Sequence, residues 1–163
     1  MLQQDAIRGD ALARRHRHCT FALVHFRLLV NLVNEDVPTL RRADAILETD
    51  RLVGRVLEEL RAAETTVLDA LAGTSRRRAA ARLLAGRYER LQRAGLQVGA
   101  AVRAGNVPMM RRTMTRFDAL TRAACTVQLD VYGSARERAR PDAARTGPAP
   151  GPSGIEGRSR PVR

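Results

Sequence analysis

Val37-Pro38-Thr39-Leu40-Arg41-Arg42 returns seventy positions later as Val107-Pro108-Met109-Met110-Arg111-Arg112. Each copy follows an apolar run and a polar residue able to cap a helix, Asp36 in the first and Asn106 in the second, and each opens a new amphipathic run. A capping side chain accepts from the orphan N–H groups of a helix's first turn, and a proline two positions on removes a donor that had no partner there. The phrase therefore marks a helix–break–helix unit written twice. Two such units predict an all-α fold, an antiparallel bundle of about four long helices.

Working outward from the two junctions, the first helix is predicted to begin between Asp5 and Ala11 and to run to about Asn34. Phe21, Val24, Leu28 and Leu32 fall on one of its faces. The second is predicted from Val37 to about Ala72, with Gly73 as its C-cap. Ile46, Val53, Leu60 and Val67 recur every seven residues along it, and Thr49, Val56, Ala63 and Ala70 follow each by three. Those are the a and d positions of a coiled-coil-like seam.

Thr74 or Ser75 is placed to cap a third helix running to about Ala104, with Leu84, Tyr88, Leu91, Gly95, Val98 and Val102 as a second seam. Gly95 and Gly99, one turn apart, point to close helix approach, with a loosened segment as the alternative. The fourth helix is predicted from Val107 to about Arg140, carrying Met110, Thr113, Phe117, Leu120, Ala124, Val127 and Val131 at steps of three and four. Beyond Pro141 the composition turns to Pro, Gly, Ala, Ser and Arg, with too little apolar bulk to offset the entropy of ordering it. Residues 1–140 are thus expected to be the helical domain and 141–163 a disordered tail.

Composition agrees with helices. Aromatic residues are 3% of the 163, tryptophan is absent, and the apolar content is mainly Ala, Leu and Val, which suits helix packing better than strands. The formal net charge is +12, and all 29 basic residues are arginine. GC-rich codon usage accounts for that choice; bidentate phosphate contacts are the functional alternative. The charge is unevenly spread. Ten arginines against Glu89 alone give residues 75–112 a charge of +9, whereas nine acidic residues against six arginines give residues 21–74 a charge of −3. The exposed excess forms a basic patch at Arg76, Arg77, Arg78 and Arg82.

That patch lacks what nucleic-acid recognition would add, a recognition helix after a tight turn or a set of stacking aromatics, so nucleic acid is disfavoured as a partner. Nothing in the chain spells a phosphate loop, a nucleophile elbow or a zinc-ligand spacing, and the Glu-x-x-His spacing of bundle metal sites does not occur. His16 and His18, two apart on a helix, point in different directions and make poor ligands to one metal. The reading is a non-enzymatic protein without metal or cofactor. Cys19 and Cys125 read as free thiols of a reducing cytoplasm, with a disulfide tying the first helix to the fourth as the alternative. The apolar stretch from Phe21 to Val33 is interrupted by His25, Arg27 and Asn31 and is too short and polar to span a bilayer. No leader is visible, so the expected location is cytoplasmic without membrane insertion.

From about Phe26 to Arg136 the chain resembles the FlgN-type flagellar export chaperones. The resemblance is carried by Leu28-Leu29-x-x-Leu32-x-x-Glu35, by Leu40-Arg41-Arg42-Ala43-Asp44-Ala45-Ile46-Leu47, by the leucine-spaced run from Leu52-Val53 to Leu68, and by the closing Val131-Tyr132-Gly133. The family's Glu-Lys pair midway along the second segment is replaced here by Thr49-Asp50-Arg51. The resemblance implies a cytoplasmic chaperone of flagellar assembly that binds the amphipathic C-terminal helices of hook–filament junction proteins. It directs attention to Met110, Met114, Phe117, Leu120, Val127 and Val131 as a partner-binding stripe, since methionine adapts to varied partners and an incoming helix docks by its own apolar face; the alternative is that the same residues are bundle core. Two other readings stand beside it. One is a self-associating coiled-coil adaptor, a homodimer through the second helix's seam; the other is an arginine-driven nucleic-acid binder.

Overall fold

The computed structural model describes residues 2–34 and 42–139. They form four helices: α1 (Leu2–Asn34), α2 (Arg42–Ala70), α3 (Arg77–Ala104) and α4 (Val107–Ala139). No strand occurs among the described residues. The first valine–proline junction and the expected disordered tail lie outside them, as do the first five residues predicted for the second helix.

The second junction is built as its residues dictate. Gly105 adopts a left-handed φ of 64°, a conformation that costs glycine nothing because it has no Cβ. Its N–H bonds to the Val102 carbonyl at 3.0 Å and that of Asn106 to the Ala101 carbonyl at 3.2 Å, the paired bonds of a Schellman ending. Asn106 then starts the next helix: its Oδ1 accepts from the Met109 N–H at 3.0 Å. One glycine and one asparagine thus end α3 and begin α4 within two residues.

The turn between α2 and α3 departs from expectation. Gly73 takes a left-handed φ of 78°, but neither Thr74 nor Ser75 caps α3. The Thr74 hydroxyl donates backwards to the Leu71 carbonyl at 2.8 Å and so helps to end α2. The N-cap falls on Arg76, with no side-chain hydrogen bond and no acidic residue in the first turn.

Cross-helix pairs run in opposite order along neighbouring helices, which makes the bundle antiparallel. On α1 and α4 the pairs are Asp5 with Tyr132, His16 with Gln128 and Arg27 with Asp118. On α2 and α3, Asp50 meets Arg103 and Arg61 lies over the Tyr88 ring. Each of α1 and α3 packs on both α2 and α4; α2 and α4 also touch each other, and α1 and α3 do not meet.

The seams read from the sequence are the ones that pack. Thr49, Val56, Leu60, Ala63 and Val67 of α2 and Leu84, Leu91, Val98 and Val102 of α3 are buried. The main core adds Phe26, Met110 and Phe117, and a smaller one at the other end joins Leu12, Leu71, Ala80 and Tyr132. A Cβ at Gly95 would stand 2.7 Å from a Val53 methyl, so this glycine is what lets α3 approach α2. The heptad seam of α2 is therefore occupied within the chain, and a homodimer through it has no free apolar face to use.

Candidate docking surface and a thiol–imidazole cluster

The apolar face that the sequence marks on α1 points away from the bundle. Phe21, Val24, Leu28 and Leu32 retain 65%, 45%, 55% and 42% of their accessible surface. The face that packs lies on the opposite side and carries Leu12, Cys19, Ala22, Leu23, Phe26, Leu29 and Val30. The reason lies in local composition: between Phe21 and Val33 only His25, Arg27 and Asn31 are polar, so the helix is apolar nearly all round and its periodicity cannot choose a side.

Other large exposed apolar residues, such as Leu47, Leu83, Leu96 and Leu129, are distributed over α2, α3 and α4, and isolated exposures of this kind are ordinary. The four on α1 are consecutive along one stripe, roughly 16 Å from Phe21 to Leu32 at 1.5 Å per residue. Such a run of neighbouring exposed apolar side chains differs from the isolated exposures on the other helices. Arg14 and Arg17 continue the same face toward the N-terminus, His25 sits within it, and all three are exposed.

The stripe that the sequence assigns to partner binding on α4 is placed differently. Met110 and Phe117 are each 1% exposed and belong to the main core, so of their two possible uses they serve the core and not an open groove, with the Phe117 ring close to Gly95 of α3; a partner would reach them only by parting the bundle. Met114 and Leu120 are half-buried against the same core, and Val127 and Val131 against the smaller one. Val131 also lines an open cleft of about 830 Å³ among the ends of α2 and α4 and the start of α3. Arg76 stands at that cleft, Arg77 and Arg78 line a smaller neighbour, and Arg82 is exposed. The basic patch is thus gathered and solvent-facing, at a helix N-terminus where the backbone dipole already disfavours positive charge.

One cluster escaped the sequence reading. His16 Nε2 and Gln128 Oε1 are 2.8 Å apart, and Gln128, itself buried, donates its Nε2–H to the Leu60 carbonyl at 2.9 Å. This side chain ties α4 to both α1 and α2. One turn along the same register, Cys19 of α1 and Cys125 of α4 share one packed cluster, and each thiol perturbs the other's titration, as His16 does that of Cys125. The hydrogen bond from Cys19, and then that from His16, hold the Cys125 thiol well below its ordinary pKa against the opposing effect of burial. Burial pulls the His16 imidazole down, but its bonds to Cys125 and Gln128 outweigh that and raise it. Together they favour a thiolate–imidazolium pair. Cys19 is pushed up, first by its bond to Cys125 and then by burial. The signal in the chain is His16-x-x-Cys19 against Cys125-x-x-Gln128, legible only once α1 and α4 are known to lie antiparallel in this register.

Around it the carboxylates are paired, while Arg15 Nε is buried without a hydrogen-bond partner. Glu59 of α2 accepts from Arg15 at 3.1 Å and lies 2.8 Å from His18 Nδ1; these partners lower its pKa although burial opposes them. Asp118, buried on α4, pairs with Arg122 and Arg27, and they lower its pKa against burial in the same way. No group of three or more His, Cys, Asp or Glu among the described residues is arranged to hold a metal ion, and no helix there is long and apolar enough to cross a membrane. No protein-family model, no curated protein and no solved structure matches this chain.

Proposed function

We propose that this protein is a non-enzymatic binding module that captures an amphipathic helix with acidic flanks on the outer face of α1. The observation that carries this is the exposed stripe Phe21, Val24, Leu28, Leu32, whose steps of three and four match the i, i+3, i+4, i+7 anchors by which a helix docks on an apolar surface. Charge complementarity selects the partner: the flank of the stripe carries Arg14 and Arg17 with His25 inside it, so carboxylates beside the partner's apolar face favour docking and lysines oppose it. The sequence resemblance to flagellar export chaperones supports the specific form of the proposal, a cytoplasmic chaperone whose clients are the C-terminal helices of hook–filament junction proteins. Those clients would be met on α1, not on α4.

The test is a titration of the full chain with a synthetic leucine-striped helical peptide flanked by glutamates, followed by fluorescence anisotropy. Binding that weakens at least tenfold in a Phe21→Ser, Leu28→Ser double variant of unchanged helix content is the expected result, as is weaker binding of the lysine-flanked peptide. Equal binding by wild type and variant, or sedimentation showing that the stripe pairs two copies of this chain, overturns the proposal. Competition by a hook–filament junction C-terminal helix decides the client class.

A further inference from the structure

We propose that Cys19 and Cys125 are a redox modification site, joined by a reversible disulfide when the protein meets a peroxide, so that α1 is clamped covalently to α4. The antiparallel pairs His16–Gln128 and Arg27–Asp118 bracket the position at which Cys19 and Cys125 face each other, and both residues belong to one packed cluster. That register sets Cys125 one helical turn from Gln128 and Cys19 one turn from His16, in the same packed cluster; a disulfide closes a gap between side chains and needs no new fold.

The two thiols are not equivalent, and the difference sets the order of events. Cys125 is half-buried, one helical turn from the Gln128 that holds His16, whereas Cys19 is buried and its thiol leans toward the Val56 carbonyl at 3.9 Å. Glu59 of α2, the carboxylate that also acts on Cys19, is already paired with Arg15 and His18. The Cys125 thiolate attacks hydrogen peroxide: an S–O bond forms, the O–O bond breaks, and the leaving hydroxide takes the proton of the His16 imidazolium as water. Cys125 is then a neutral sulfenic acid. Cys19, relieved of the anionic neighbour that held its proton, attacks that sulfur; the S–S bond forms, the S–O bond breaks, and a second water leaves with the Cys19 proton. Two thiols surrender two electrons and one peroxide becomes two waters, so the step balances without another reductant or metal. A dithiol such as dithiothreitol reverses it by exchange.

The experiment treats the folded full chain with hydrogen peroxide, then denatures it and alkylates the remaining thiols. Peptide mapping should show both cysteines protected and joined to each other, with a loss of about 2 Da for the pair, full recovery of alkylation after dithiothreitol, and a higher melting midpoint for the oxidised form. In Cys19→Ser the reaction should stop at a dimedone-trappable sulfenic acid on Cys125, and in Cys125→Ser the Cys19 thiol should remain alkylatable. Replacing the imidazole in His16→Ala should slow the wild-type oxidation about tenfold at neutral pH, because less of Cys125 is then thiolate, with circular dichroism confirming unchanged helix content. Two thiols that still alkylate after peroxide, a disulfide found only between chains, or oxidation confined to methionine would overturn the proposal.

Discussion

α1 and α3 hold the same place in the bundle, each packed on α2 and α4 and neither on the other, yet they are attached differently. α3 presents one apolar stripe, Leu84, Leu91, Ala94, Val98 and Val102, and spends all of it on the core, with Gly95 drawing it against Val53. α1 carries two, burying the one with Phe26 and Val30 and leaving the one with Phe21 and Leu28 to solvent. An apolar side chain left to solvent adds little to stability, so the outer stripe of α1 is the apolar surface on which the proposed docking rests. The contrast extends to polar contacts. α1 is held by Arg15 and His18 on Glu59, His16 on Gln128 and Arg27 on Asp118, whereas α3 offers Arg103 to Asp50 and Gln97 to Arg116 at the surface.

The comparison is most sharply tested by its two faces on α1. Phe26→Ala should destabilise the fold by about 3–5 kcal/mol, whereas Phe21→Ala should stay within about 0.5 kcal/mol, both read from urea unfolding. Similar costs for the two would reverse the assignment of faces. On α3 the equivalent contrast uses glycines. Gly95→Val should cost about 1–3 kcal/mol through overpacking, and Gly86→Ala, where an added Cβ meets nothing within 4 Å, should gain up to about 1 kcal/mol in helix propensity. Loss of stability in both would place α3 closer to its neighbours than it lies here.

Acid should act through the polar side of α1. Asp118 and Glu59 have folded pKa values below their ordinary ones, so near pH 4 the unfolded chain binds more protons than the folded one. Their contribution is complete above the ordinary carboxylate range and is lost as pH falls through the depressed folded values. The melting midpoint should drop over that interval, and Asp118→Asn should flatten the drop; an unchanged acid limb would deny the Arg27 and Arg122 pairing its role. The smallest expected effect is at the start of α3. Arg76→Asp supplies a cap and removes a cation from the positive end of the helix dipole, a gain of about 1 kcal/mol that chemical denaturation resolves.

The α2 seam, the α3 seam and the Asn106 cap were legible because each depends on residues close in sequence and on one dominant period. Thr74 shows where such reasoning fails: a hydroxyl between two helices can end the first or begin the second, and here it bonds back to Leu71. α1 was legible as a helix but not in its orientation, since Phe21-x-x-Val24 and Ala22-x-x-x-Phe26 are equally good helical spacings in an apolar stretch. The site suffered most. Met110 and Phe117 carry the chemistry expected of a binding surface, yet that same chemistry fills a core, and only the packing of α4 on its neighbours decides between the uses. Cys19 and Cys125 stand 106 positions apart, and no local pattern announces that they meet.

Because α2 and α4 touch directly across the middle, the molecule is two triangular prisms sharing one edge, not a square with a hollow centre. Each outer rod leans on that common spine alone, so mechanical load applied to one has no direct route to the other. Amide exchange should accordingly show α1 and α3 opening as separate events, with the spine the last part of the molecule to admit deuterium.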